Sequence, residues 1–145
     1  MKAVVQRVRK TTLSVDGKLI SEIPFGLTVF LGVKTGDSEK EGGYIAKKIA
    51  GLRIFEDENG KMNLSVKDVG GEVLLVSQFT LYGDASHGNR PSFTQAARPE
   101  IAEPLYKYVE KELSSYGIVV KTGMFGADMK IEQFNDGPVT ILLDC

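Results

Sequence analysis

The 145-residue chain contains one cysteine, one histidine and no tryptophan. The cysteine, Cys145, is the last residue, so no internal disulfide can form and a reducing compartment is expected. One histidine and one terminal cysteine cannot assemble a His/Cys zinc site. Ser-His-Asp or Cys-His catalysis needs a histidine base, and the sole candidate, His87, lies in a Gly/Ser/Asn-rich stretch that reads as solvated loop. The sequence has no Asp-x-Asp-x-Asp-Gly calcium loop and no G-x-x-x-x-G-K-[ST] or G-x-G-x-x-G phosphate-binding turn. Neither a metal nor a cofactor is therefore expected. No apolar run approaches the roughly 20 residues that a membrane span requires. The opening MKAVVQRVRK also lacks the apolar region of a signal peptide. A cytoplasmic protein with no membrane partner is expected.

What is present suits a globular α/β chain. The length fits one domain, residues 1–145, and 42% hydrophobic against 26% charged residues is an ordinary balance for a folded core. Net charge is −1 but uneven: residues 1–55 carry ten Lys/Arg against five Asp/Glu, and residues 56–145 carry eight against fourteen. Such a split can mark a face for a polyanion, although halves of a sequence need not be faces of a fold.

Val4 to Val8 and Thr11 to Val15 read as strands, and Asp16-Gly17 as a two-residue hairpin returning into Leu19 to Ile23. Leu27 to Val33 is a continuous apolar run, as in a strand buried on both faces. Ser38 followed by Glu41 is a capping box opening a helix to about Leu52, with Ile45, Ile49 and Leu52 as its buried stripe. Arg53 to Glu56 is a further strand and Asn59-Gly60 a turn. Glu72 to Phe79 is a second buried strand, and residues 83–92 are a loop. Pro99 starts a helix to about Tyr116, with Ile101, Leu105, Tyr108, Val109 and Leu113 along one side and Gly117 as its stop. Strands at Ile118 to Thr122, Lys130 to Phe134 and Val139 to Leu143 complete a mixed, barrel-like sheet with two main helices.

Two segments carry the chemistry that remains. Ser77-Gln-Phe-Thr-Leu-Tyr82 places hydroxyl and amide side chains where a buried strand runs into a loop, a common position for a site on a rigid scaffold. Ser77 and Thr80 would equally well satisfy backbone groups at a strand end. Asn135-Asp-Gly-Pro-Val-Thr140 reads, by composition, as a turn leading into the last strand.

Together these segments resemble the signature pair of the D-aminoacyl-tRNA deacylases, SQFTLY and N-x-G-P-V-T, and both are present without departure. The opening MKAVVQRV, the stretch Gly88-Asn-Arg-Pro-Ser-Phe93 and Gly126-Ala-Asp-Met129 extend the resemblance along the chain. The resemblance implies a single deacylase domain that removes D-amino acids from the 3′ adenosine of tRNA, so the expected partner is the charged 3′ end of tRNA. It implies a homodimer with active sites at the interface. Each site would take Ser77, Gln78, Phe79 and Thr80 from one subunit and a cis Gly137-Pro138 from the other. Arg7 would brace the Gly-Pro loop, and Met129 would line the pocket. Gly137 and Pro138 would form a gate that admits D-aminoacyl and glycyl esters and rejects L-esters.

This chemistry tolerates the missing histidine. An aminoacyl ester is already activated, and the neighbouring ribose hydroxyl sits beside its carbonyl at high effective concentration. Backbone N–H groups around Phe79 and Thr80 would then stabilise the oxyanion. A non-catalytic RNA-binding module is disfavoured, because the chain has no RNP-like aromatic set and no Lys/Arg-rich tract. An esterase acting on small D-amino acid esters is the other alternative.

Overall fold

The Val-rich opening of the chain forms one 14-residue strand, β1 (Lys2–Val15), where two were expected. The apolar alternation breaks at Arg9-Lys10 because the strand bulges there. Its pairing with the last strand shifts register on both sides of Val8. An extra residue turns side chains to the other face without ending the strand.

Asp16-Gly17 makes the expected hairpin into β2 (Lys18–Ile23), and β3 (Gly26–Gly32) follows. One edge of β1 pairs with β3 along its first half and with β2 along its second. The other edge carries β8 (Lys130–Asp144) along its length. The two strands expected at Lys130 to Phe134 and Val139 to Leu143 are therefore one. Asn135-Asp-Gly-Pro138 is a bulge within it, not a turn.

Between these strands lie helix α1 (Glu39–Gly51), the short hairpin β4 (Phe55–Glu56) and β5 (Met62–Leu64), and β6 (Glu72–Ser77). A 3-10 helix (Phe79–Tyr82), helix α2 (Pro99–Ser115) and β7 (Val120–Thr122) come next. β6 runs parallel to β3 and to β7, so the main sheet has the order β2-β1-β3-β6-β7, with β8 added on β1. Ser21 Oγ donates to the Thr122 carbonyl (2.6 Å) and Lys121 Nζ to that of Glu22 (2.7 Å). These bonds draw β7 towards β2 and nearly close the barrel. The structure describes all 145 residues, Met1–Cys145, as a computed structural model.

The helices cover one face of this sheet. α1 begins at the expected capping box: the Ser38 amide donates to Glu41 Oε2 (2.8 Å) and the Lys40 amide to Ser38 Oγ (3.3 Å). Such a cap contributes about 1 kcal/mol. Ile45 and Ile49 are fully buried, whereas Leu52 is the half-buried C-cap. On α2 the buried stripe is Ala102, Leu105, Tyr106, Val109 and Leu113. Ile101 falls off that stripe and stays half exposed, and Tyr108 packs on Gly42 of α1. Fully burying a side chain such as Leu113 contributes roughly 2 kcal/mol. β6 alternates between two apolar clusters. Val73 and Leu75 face the helices, and Leu74 and Val76 join Val8, Leu13, Val15 and Ile23 on the opposite face.

Candidate active site

β6 ends among the carboxyl ends of parallel strands, where α/β sheets commonly bind ligands. It is firmly anchored there, because the buried Tyr106 hydroxyl donates to the Leu75 carbonyl (2.7 Å) and the Gln78 amide to that of Leu31 (2.8 Å). The strand stops at Ser77, and Phe79, expected to end it, instead starts the 3-10 helix. This turn packs directly on β3. A Cβ placed on Gly32 would lie 3.0 Å from the Gln78 carbonyl oxygen and 3.1 Å from Leu81 Cβ, so a side chain there would push the turn outward by a few tenths of an ångström.

A tight turn leaves its first amides without intrahelical acceptors. The Leu81 amide donates to the Gln78 carbonyl and the Gly83 amide to that of Thr80, but the amides of Phe79 and Thr80 donate to no backbone carbonyl. Two successive donors are left free for a ligand. Gln78 Nε2 donates to Thr80 Oγ1, which ties the two side chains together. Burial raises the pKa of the Tyr82 phenol above the ordinary tyrosine value, which keeps it protonated.

Ser77, Gln78 and Phe79 form one wall of a cavity of about 590 Å³. Phe125 to Met129, after β7, form a second wall, and Arg98, Pro99 and Ala102 at the start of α2 form a third. Phe93 meets Phe79 edge-on at 5.1 Å between ring centres. The wall is mainly apolar. Met129 therefore shares a cavity with Ser77, Gln78 and Phe79, while Thr80 sits just beyond its lining. His87 lies outside it, on the exposed loop.

The remaining candidates form a separate cluster. Arg7 is nearly buried and donates through Nε to the Asp136 carbonyl (3.0 Å) and through Nη1 to that of Ile54 (2.7 Å). Asp136 also pairs with Arg9 (3.0 Å). This clamp holds the loop at Gly137-Pro138, whose peptide bond is cis and whose residues are exposed. Gly137 has φ +131°, and a Cβ there would lie 2.8 Å from the Val139 amide nitrogen, so the position admits only glycine. Arg7, Gly137 and Pro138 do not line this cavity.

Sequence reasoning did not single out Phe125 or Arg98. Phe125 directly precedes the noted Gly126-Ala-Asp-Met129 stretch and Arg98 directly precedes the helix-starting Pro99, which are the only local signals for either.

Comparison with known proteins follows the same lines. The D-Tyr-tRNA(Tyr) deacylase family matches residues 4–144. The D-aminoacyl-tRNA deacylase of Koribacter versatilis (strain Ellin345) is 58% identical over 144 residues, covering 99% of this chain and 97% of its own. That of Bacillus cereus (strain B4264) is 53% identical over 144 residues, covering 99% of each. A solved structure titled c-Myc DNA Unwinding Element Binding Protein superposes with a TM-score of 0.94 at 44% identity, over 100% of this chain and 99% of that one. A probable eukaryotic D-amino acid tRNA deacylase shares the fold, with a TM-score of 0.87 at 15% identity over 99% and 98% of the two chains.

Proposed function

The chain belongs to the D-Tyr-tRNA(Tyr) deacylase family, and from this premise we propose how it works as a hydrolase that removes D-amino acids from tRNA. The whole chain acts as one deacylase domain. The observation that carries the mechanism is the pair of free amides at Phe79 and Thr80, in the turn bordering the cavity. The ester carbonyl is held against them. Water adds to its carbon, and the negative charge that develops on oxygen is met by donors already in place. The bond to the ribose 3′ oxygen then breaks. That oxygen takes up the proton lost by water, releasing free D-amino acid and intact tRNA. Removing one such donor in comparable enzymes costs about 3–4 kcal/mol, so two can carry much of the catalysis.

Thr80 positions and does not attack. Its hydroxyl accepts from Gln78 Nε2, and no base stands beside it. Thr80→Ala should therefore keep deacylation within about tenfold of wild type, the effect of losing one neutral hydrogen bond. A loss of several powers of ten, or an acyl-enzyme trapped on Thr80, would overturn the assignment.

The second half of the site comes from a partner copy. Gly137-Pro138 is exposed and lies away from its own cavity, β8 has one unpaired edge, and Phe134 and Leu142 on β8 are 68% and 76% exposed. A long open edge with bare apolar side chains favours pairing with another chain. A two-fold dimer would bring each Gly137-Pro138 loop to the other subunit's cavity, with Arg7 bracing it and Met129 lining the pocket it closes. Light scattering at micromolar concentration should give about twice the 15.8 kDa chain mass. A fully active monomer would end the shared-site reading.

The activity itself is tested by incubating the protein with D- and L-tyrosyl-tRNA and measuring released tyrosine. Tight, salt-sensitive tRNA binding without turnover would favour an RNA-binding module instead.

A further inference from the structure

The cavity wall contains two charged groups that the mechanism above does not use. Of its lining side chains only Arg98 and Asp128 carry charge. Asp128 is already paired with Lys130 at 2.9 Å. Arg98 has no carboxylate within pairing distance, and as N-cap of α2 its side chain makes no capping bond.

Its backbone, by contrast, is held on both sides. The Arg98 carbonyl accepts from the amides of Ile101 (3.0 Å) and Ala102 (2.9 Å), and the preceding Ala97 amide donates to the Val33 carbonyl (2.9 Å) at the end of β3. A guanidinium with a fixed root and free donors, set in a mainly apolar wall, is suited to an anion that the ligand brings.

The substrate itself narrows the choice. Its amino-acid end carries an ammonium, which Arg98 would repel. The cavity end at Arg98 therefore takes the nucleotide. The nearest anion there is the phosphodiester on the 5′ side of the terminal ribose, one sugar away from the ester. Resting on the deacylase reading, we propose that Arg98 binds this phosphodiester and so makes the enzyme prefer a charged tRNA end over a simple nucleoside ester.

The test compares three D-tyrosyl esters: of tRNA, of adenosine, and of adenosine 5′-monophosphate. The wild type should cleave the monophosphate ester with a kcat/KM about tenfold above that of the adenosine ester, as expected for one exposed charge-assisted contact. Arg98→Gln should lose about tenfold on the tRNA and monophosphate esters and nothing on the adenosine ester. Arg98→Lys should recover part of the loss. The slope of log(kcat/KM) against log salt for the tRNA ester should become shallower by about 0.7 in Arg98→Gln, one phosphate contact fewer. Equal losses on all three esters, unchanged activity on tRNA, or a wild type indifferent to the phosphate would each overturn the proposal. A wild type that cleaves none of the three esters would instead remove the deacylase reading beneath it, and that is visible before any variant is made.

Discussion

A D-tyrosyl-tRNA whose terminal ribose lacks the 2′-hydroxyl should be hydrolysed about a thousandfold more slowly than the natural ester. The expectation follows from the lack of a free base beside the Phe79–Thr80 turn: Asp128, the one carboxylate in the cavity wall, is paired with Lys130 at 2.9 Å. His87 is exposed and does not line the cavity. The Cys145 thiol lies against the Met1 carbonyl, and the Tyr82 phenol is kept protonated by burial. The Thr80 hydroxyl oxygen accepts from Gln78 Nε2, an amide that cannot act as its base. The proton must nevertheless leave the attacking water and reach the ribose oxygen. The only hydroxyl that always accompanies the reacting carbonyl is the one on the neighbouring ribose carbon. Groups fixed next to a reacting centre gain effective concentrations far above those of free solutes, so removing this one should be felt in kcat. Single-turnover rates with the amino acid locked on the 3′ oxygen measure the effect directly. Equal rates for the two tRNAs would mean that a protein side chain does the proton transfer, and Thr80 would be the first to reconsider.

D-tyrosyl-tRNA should be cleaved at least about a hundredfold faster than L-tyrosyl-tRNA, with glycyl-tRNA also cleaved and L-alanyl-tRNA spared. An enzyme that selects by hand but not by side chain cannot rely on a fitted side-chain pocket. It must hold the ammonium and carbonyl and block the direction an L side chain would take. Main chain serves this better than a mobile side chain, provided it cannot yield. The loop at Gly137-Pro138 is held in that way: nearly buried Arg7 bonds the carbonyls of both Asp136 and Ile54, and Asp136 is further paired with Arg9. Forcing even one methyl against a wall of that stiffness costs about 1–3 kcal/mol, and larger groups cost more. Glycine presents only hydrogen to the wall and passes. Initial rates for the four esters side by side decide the matter. Rapid L-alanyl release would count against a steric gate, and the same rate for D- and L-tyrosyl esters would remove it.

Features set by neighbouring residues were legible in the sequence. Asp16-Gly17 forms the hairpin, Ser38 and Glu41 cap α1, and Pro99 and Gly117 bracket α2, because each depends on backbone and side-chain preferences within a few positions. The apolar runs in β3 and β6 likewise declared strands buried on both faces. Both signature segments were visible as well, and with them the family.

Other features were decided only by the tertiary structure. Two segments that read as separate strands are one at β1 and one again at β8, because each has the other as a partner that carries it through the bulge. Asn135-Asp-Gly-Pro138 reads as a turn in isolation, yet Arg7, 129 positions away from Asp136, holds it inside a strand. Phe79 has strand propensity, but the last backbone bond to β3 is made at Gln78, and beyond it the chain tightens into the 3-10 turn that frees two amides. The cavity gathers residues from the ends of β3 and β6, the stretch after β7 and the start of α2, and no local pattern announces that Arg98 belongs with Gln78. Local propensities act over a few residues, whereas the site depends on hydrogen bonds and packing between segments tens of positions apart, which exist only once the sheet has nearly closed.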